Sequence, residues 1–254
     1  MITLPRWDKK ANFKYYLLSF LTLLFSWEVL ALLLRNPALP PPLLALQQFV
    51  KILPATLWKH ILISTYRVLI SLGLGLILAV PLGLFLSRKE NLDRFLAPLV
   101  YLLYPVPKIA LLPVIIAIFN IGEISKIFTI TLVIFFQIFV TTRDAARKVS
   151  QYSIYSVLSL GASMKDIYRH VIIPSCLPDI FTAIRISLGT AIAVLFFAES
   201  FATLQGLGYF IMEAWSRFYY PDVFAGILGI SILGFCLFLL VDLVQRFVCP
   251  WLFI

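Results

Sequence analysis

Long apolar runs separated by short polar turns dominate this chain. Three runs carry no charge: Val68–Ser87 over 20 residues, Val223–Val241 over 19 and Ile127–Thr142 over 16. Three more admit one or two ionisable residues: Tyr15–Leu34 with Glu28, Phe95–Phe119 with Lys108, and Ile180–Leu204 with Arg185 and Glu199 near its ends. A helix crosses a hydrocarbon core of about 30 Å with roughly 20 apolar residues. Backbone polar groups in lipid must pair within their own segment, and the alternation that would mark strands is absent. The pattern predicts an all-α polytopic membrane protein with about six transmembrane helices. No repeat or soluble module divides it, so residues 1–254 read as one domain.

Composition agrees: 61% of residues are apolar, 13% are charged, and the mean hydropathy is +0.98. A soluble domain holds about a quarter charged residues. The net charge of +9 would suit nucleic acid, but its distribution along the chain excludes that reading. With the N-terminus inside, the cytoplasmic segments collect Arg6, Lys9, Lys10, Lys14, Arg88, Lys89, Arg94, Arg143, Arg147, Lys148, Lys165, Arg169 and Arg246. The opposite side collects Arg35, Lys51, Lys59, Arg67, Lys126 and Arg217. This is the positive-inside asymmetry, and it predicts a multi-pass protein with both termini in the cytoplasm. The first apolar run is too long for a signal peptide and lacks a small-residue cleavage site, so it reads as a retained helix. Cys176, Cys236 and Cys249 fit neither a metal site nor a disulfide framework, and His60 and His170 read as interface or surface residues.

The turns add detail. Pro37–Pro42 cannot continue a helix, and Leu43–Leu57 reads as an amphipathic surface helix broken by Pro54. Gly73, Gly75 and Gly83 let another helix approach the second span. Arg88–Arg94 reads as a tight charged turn. In the third span Pro105, Pro107, Lys108 and Pro113 stand at membrane depth, where freed carbonyls and a charge need protein or water beside them. A kinked packing helix and a pathway lining both fit. Glu199, with Gly206 and Gly208 downstream, is a second candidate for the pathway or its gate. It either contacts substrate or anchors the Gly206–Ile211 segment, read as a turn and short re-entrant helix.

Residues 143–178 form the longest polar segment. Ser153–Leu160 and Lys165–Ile173 read as two short helices joined around Gly161-Ala-Ser163, with Ser163 as N-cap, Asp166 as its acidic partner, and Pro174 and Pro178 as stops. Gly161, nine residues, then Val171-Ile-Ile-Pro174 resembles the EAA loop of binding-protein-dependent ABC transporter permeases. Ser64–Leu69, Val80–Leu84, Tyr104–Pro107 with Leu111–Pro113, Ile121–Ile127 and Gly206–Ile211 are similar to the nitrate, sulfonate, taurine and bicarbonate branch. Together they span about residues 56–211. In register, Tyr155, Ser156 and Val157 replace the loop's Glu-Ala-Ala, so the acidic residue is absent; Asp144-Ala-Ala lies out of register.

The resemblance implies the type I importer permease fold, a second copy of the chain, two ATP-binding subunits, an extracytoplasmic substrate-binding protein and a bacterial-type plasma (inner) membrane. It assigns docking on the ATPase subunit to Ser159, Leu160, Gly161, Ala162, Ser163, Lys165, Asp166, Arg169 and Pro174. The chain has no Gly-x-x-x-x-Gly-Lys-Ser/Thr loop, so it is expected to be a transducer that binds no cofactor itself, with ATP held by the partner subunit. A self-contained secondary transporter or channel would call for inverted repeats or a charge relay. An intramembrane enzyme would need a catalytic constellation, and none is present in the sequence.

Overall fold

The computed structural model describes residues 9–201 and 203–253, and every regular element among them is helical. Arg6, counted above with the inner charges, lies outside the described residues. Helix α1 (Lys9–Leu34) stands at the periphery with exposed leucines and phenylalanines, as a lipid-facing helix would. It is held by Trp27, whose Nε1 donates to Pro40 O at 3.0 Å and whose ring stacks on Phe224 at 5.4 Å.

Helix α2 (Pro42–Ile52) does not end at Pro54. It continues through a π turn, Leu53–Leu57, into α3 (Trp58–Leu86), so the predicted break is a reshaped turn. The wider turn absorbs the missing proline N–H, and the Trp58 N–H reaches Leu53 O. Of the charged stretch after α3, only the first residues form the turn. Glu90 already begins α4 (Glu90–Leu103). Beyond Tyr104–Pro107 a 3-10 turn, Lys108–Leu111, leads to α5 (Leu112–Phe119), and the two halves meet at 78°. Among the described residues, five helical stretches are long and apolar enough to cross a membrane, and a sixth if this bent pair counts as one broken span. The clustered prolines are the cause of the break.

Helix α6 (Glu123–Lys148) lies at the centre, between α3 and α9. Ile130, Ile134 and Ile138, one helical turn apart, are completely buried along it. Gly75 and Gly83 make the close approach possible: a Cβ at Gly83 would lie 3.0 Å from Phe139 O, and one at Gly75 would lie 3.1 Å from Ile134. Gly73 faces open space and takes no part.

Helices α7 (Gln151–Leu158) and α8 (Met164–Ile167) form the polar corner. Pro174 and Pro178 do not stop the second of these. A π turn, Tyr168–Ile172, joins α8 directly to α9 (Ile173–Ser200), whose first turn holds Pro174 and whose interior holds Pro178. Helix α10 (Leu207–Ser216) is too short to span. It packs on α9 and on α11 (Tyr220–Val248), which also covers α2.

Candidate functional site

Three assemblies hold the candidate residues. The first lies where α9 ends. Glu199, the last but one residue of that helix, is fully buried. Its Oε1 accepts from Arg67 Nη1 at 2.7 Å, both oxygens lie 2.8 Å from Ser64 Oγ, and Oε2 accepts from the Gly208 N–H at 2.9 Å. Arg67, 1% exposed, also grips Glu123 at the start of α6 with two bonds of 2.6 and 2.7 Å, and donates to Gln205 O at 3.0 Å. A fully buried carboxylate survives only when paired and hydrogen-bonded. Glu199 is therefore not the unpaired carboxylate its sequence surroundings suggest.

The same cluster ties down the turn before α10. Ser64 Oγ accepts from the Leu207 N–H at 2.9 Å and His60 Nδ1 accepts from the Gly206 N–H at 3.0 Å. Two of the orphan donors at the start of α10 are thereby satisfied, one by Ser64 and one by Glu199. His60 stacks near Tyr209 and Phe210, an interface position as expected, whereas His170 is exposed. Gly206 has φ +117°, and a Cβ there would overlap the Glu199 carboxylate. Gly208 is equally tight, since its Cβ would lie 2.5 Å from Phe196 O. Arg67, Glu123, Lys126 and Gln205 line a cavity of about 510 Å³ beside this cluster.

The second assembly is the α4–α5 break. Pro105 and Pro107 are exposed and Lys108 is half-buried. Lys108 Nζ donates to Leu103 O at 3.0 Å, Tyr104 O at 2.9 Å and Val106 O at 3.4 Å, the carbonyls that the break releases. The ammonium also sits 4.5 Å from the Phe136 ring centre. Pro107 and Lys108 line a cavity that shares no residue with the one beside Glu199, so the two pathway candidates are separate sites.

The third assembly is the polar corner. Gly161 has φ +81°, and its N–H and that of Ala162 close on Leu158 O and Val157 O as α7 ends. Ser163 Oγ accepts from the Asp166 N–H at 3.4 Å while Asp166 Oδ2 accepts from the Ser163 N–H at 3.0 Å, so the predicted capping box is present. Ser159, Leu160, Lys165 and Arg169 are exposed, with Leu160 at 85%, and Ala162 and Pro174 are half-buried. Ile154, Ile167 and Ile172 face inward and fix the corner on the bundle.

Sequence reasoning missed the cations. Arg67 counted only as a topological charge, yet His60, Ser64, Arg67 and Ser71 recur at helical spacing and make one polar stripe on α3. That stripe was the available signal. Arg185 and Asp242, isolated within their spans, pair across α9 and α11 at 3.0 Å. Asp93, part of the charged stretch after α3, is buried and bonds Arg143 and Arg147 from α6.

Comparison with known proteins gives the family. Residues 71–253 match the profile described as binding-protein-dependent transport system inner membrane component. That match starts later and runs further than the stretch of resemblance read from the motifs. The taurine transport system permease protein of Escherichia coli (strain K12) is 35% identical over 232 residues, 89% of this chain and 84% of that one. A putative aliphatic sulfonates transport permease protein of Bacillus subtilis (strain 168) is 31% identical, over 89% of this chain and 83% of that one. The fold is that of a chain of the MetNI methionine ABC transporter in an inward-facing conformation, with a TM-score of 0.64 at 20% identity, over 76% of this chain and 95% of that one. The chain thus belongs to the binding-protein-dependent transport system inner membrane components, as a membrane-spanning permease subunit of an ABC importer.

Proposed function

We propose that this permease forms half of the solute pathway of a type I importer in a bacterial-type plasma (inner) membrane. A second copy of the chain completes the pathway, and lipid surrounds it. Two ATP-binding subunits dock on the α7–α8 corner, and an extracytoplasmic substrate-binding protein delivers the solute. Both termini lie in the cytoplasm, consistent with the charge asymmetry. The chain transduces nucleotide-driven motion and carries out no chemistry of its own. Its relatives' names favour a sulfonate, taurine being the first candidate.

The observation that supports coupling is the build of the corner. A short helix, a left-handed glycine and a capping box hold Leu160 and Met164 outward, 85% and 60% exposed, while Ile154 and Ile167 root the same segment in the bundle. An apolar knob on a rigid polar mount suits a groove in a partner and is poorly suited to water alone. The absent acidic residue is replaced by Tyr155, 61% exposed, which supplies apolar contact in its place. The test is co-purification with the ATPase subunit. Leu160→Asp should abolish it, while insertion of the permease continues. Unchanged recovery of the ATPase subunit with Leu160→Asp would show that this corner is not the docking site.

A further inference from the structure

A cavity of about 280 Å³ opens beside the α4–α5 break, walled by Tyr104, Pro107 and Lys108 on one side and by Phe136, Gln137 and Phe197 on the other. Lys108 carries the only formal charge among its lining residues. Its hydrogen bonds all run to neutral carbonyls, which satisfy the N–H donors without balancing the charge, and no carboxylate among the described residues pairs with it. Gln137 is unbalanced in the opposite sense. The Thr190 hydroxyl donates to Ile186 O at 3.3 Å and accepts from Gln137 Nε2 at 3.1 Å, which fixes the amide and leaves Oε1 buried with no partner. One cavity therefore offers a cation lacking an anion and an acceptor lacking a donor. At membrane depth both are costly unless something is bound.

We propose that this cavity is a transit site of the permease, where Lys108 receives the anionic group of a small solute and Gln137 Oε1 accepts a hydrogen bond from a donor on the same molecule. The proposal rests on the permease and sulfonate readings above and adds where the solute is held and by what chemistry. The ring of Phe136 fixes one side of the ammonium, and the freed carbonyls hold it in place without neutralising it. A solute carrying both an anion and an N–H donor matches the two walls better than a plain alkyl sulfonate. Tyr104, 48% exposed, and Phe197, 50% exposed, leave the cavity open at the surface of a single copy, where a second copy would enclose it.

The experiment is uptake of labelled taurine by proteoliposomes holding the whole transporter, with ethanesulfonate as a competitor lacking the amine. Lys108→Gln keeps hydrogen-bond donors for the freed carbonyls but removes the charge. It should lower uptake at least tenfold at equal recovery of the assembled complex, and Lys108→Arg should retain at least a third. Gln137→Leu should weaken uptake of taurine while leaving competition by ethanesulfonate within twofold. Uptake by Lys108→Gln within twofold of wild type would overturn the proposal, as would equal loss in the Gln and Arg variants. A wild-type transporter that assembles and moves neither compound would instead overturn the sulfonate reading on which the proposal rests.

Discussion

Arg67 Nη1 lies 2.7 Å from Glu199 Oε1, and neither side chain is more than 1% exposed. The pair is asymmetric. Arg67 keeps a second carboxylate, Glu123, at 2.6 Å, whereas Glu199 has no other ion pair among the described residues and relies on Ser64 and the Gly208 N–H. Breaking a buried pair from one side costs about 3–5 kcal/mol because the remaining charge stays desolvated. Arg67→Met should therefore destabilise by about that amount, and Glu199→Gln by about 1–3 kcal/mol, since Arg67 retains Glu123. Unfolding of the purified permease in detergent measures both. Equal losses, or a larger one in Glu199→Gln, would mean that the asymmetry is wrong.

Glu199 is fully buried and both its oxygens accept hydrogen bonds from the protein, which leaves no exposed acceptor for solute. Glu199→Gln should lower transport of competing solutes by one common factor, as expected of an anchor for α10. Altered relative rates between taurine and ethanesulfonate would reveal direct contact after all.

Gly206 tests the same cluster from the backbone. A side chain at φ +117° is strained, and its Cβ would overlap the Glu199 carboxylate. Gly206→Ala should reduce stability and abolish transport. Gly189, in the middle of α9 with open space at its Cβ position, is the control. Gly189→Ala should change stability by no more than about 1 kcal/mol, in the stabilising direction because alanine loses less backbone freedom. Two substitutions of the same chemistry would then separate crowding from loss of glycine itself.

The helical architecture was legible because a bilayer leaves the chain few alternatives. Long uncharged runs have one form there: α11 contains Val223–Val241, and α3 takes in Val68–Leu86 with Ser87 as its C-cap. Helix ends were less legible. Pro54, Pro174 and Pro178 normally mark boundaries, but a π turn holds Pro54, another precedes Pro174, and α9 takes Pro178 in its interior, so the helix runs on past all three. The capping box at Ser163 was readable since it is local, three residues from donor to acceptor. The Arg67–Glu199 pair was not, because its members are 132 positions apart. Charge counting treated them as unrelated.

The polar corner makes a prediction about backbone shape. Gly161 at φ +81° meets nothing within 4 Å, so a substitution there is limited by conformation and by the partner, not by crowding within the chain. Asparagine tolerates the left-handed region; a bulky side chain pays about 1–2 kcal/mol. Gly161→Asn should keep most of the coupling between ATP hydrolysis and transport, while Gly161→Leu should uncouple them. The ratio of ATP hydrolysed to solute moved checks this, and equal ratios in the two variants would detach the corner from coupling.

Orientation follows from charge, and labelling can test it. Asn91 and Ser163 are exposed, the first in the opening turn of α4 and the second at the α7–α8 corner, and the arginine-rich cluster around Asp93 lies with the Asn91 turn. Gln205 is exposed at the opposite end, in the turn before α10. With thirteen of the 21 basic residues on one side, that side should be cytoplasmic. The native Cys176 and Cys249 are buried and Cys236 is exposed on α11, so the experiment needs a background in which all three are replaced. Single cysteines at Asn91 and Ser163 should then react with an impermeant maleimide only from the cytoplasmic side, in inverted vesicles. One at Gln205 should react only in right-side-out vesicles. Labelling of Ser163 from outside would invert the topology, and the proposed ATPase docking at this corner would fail with it.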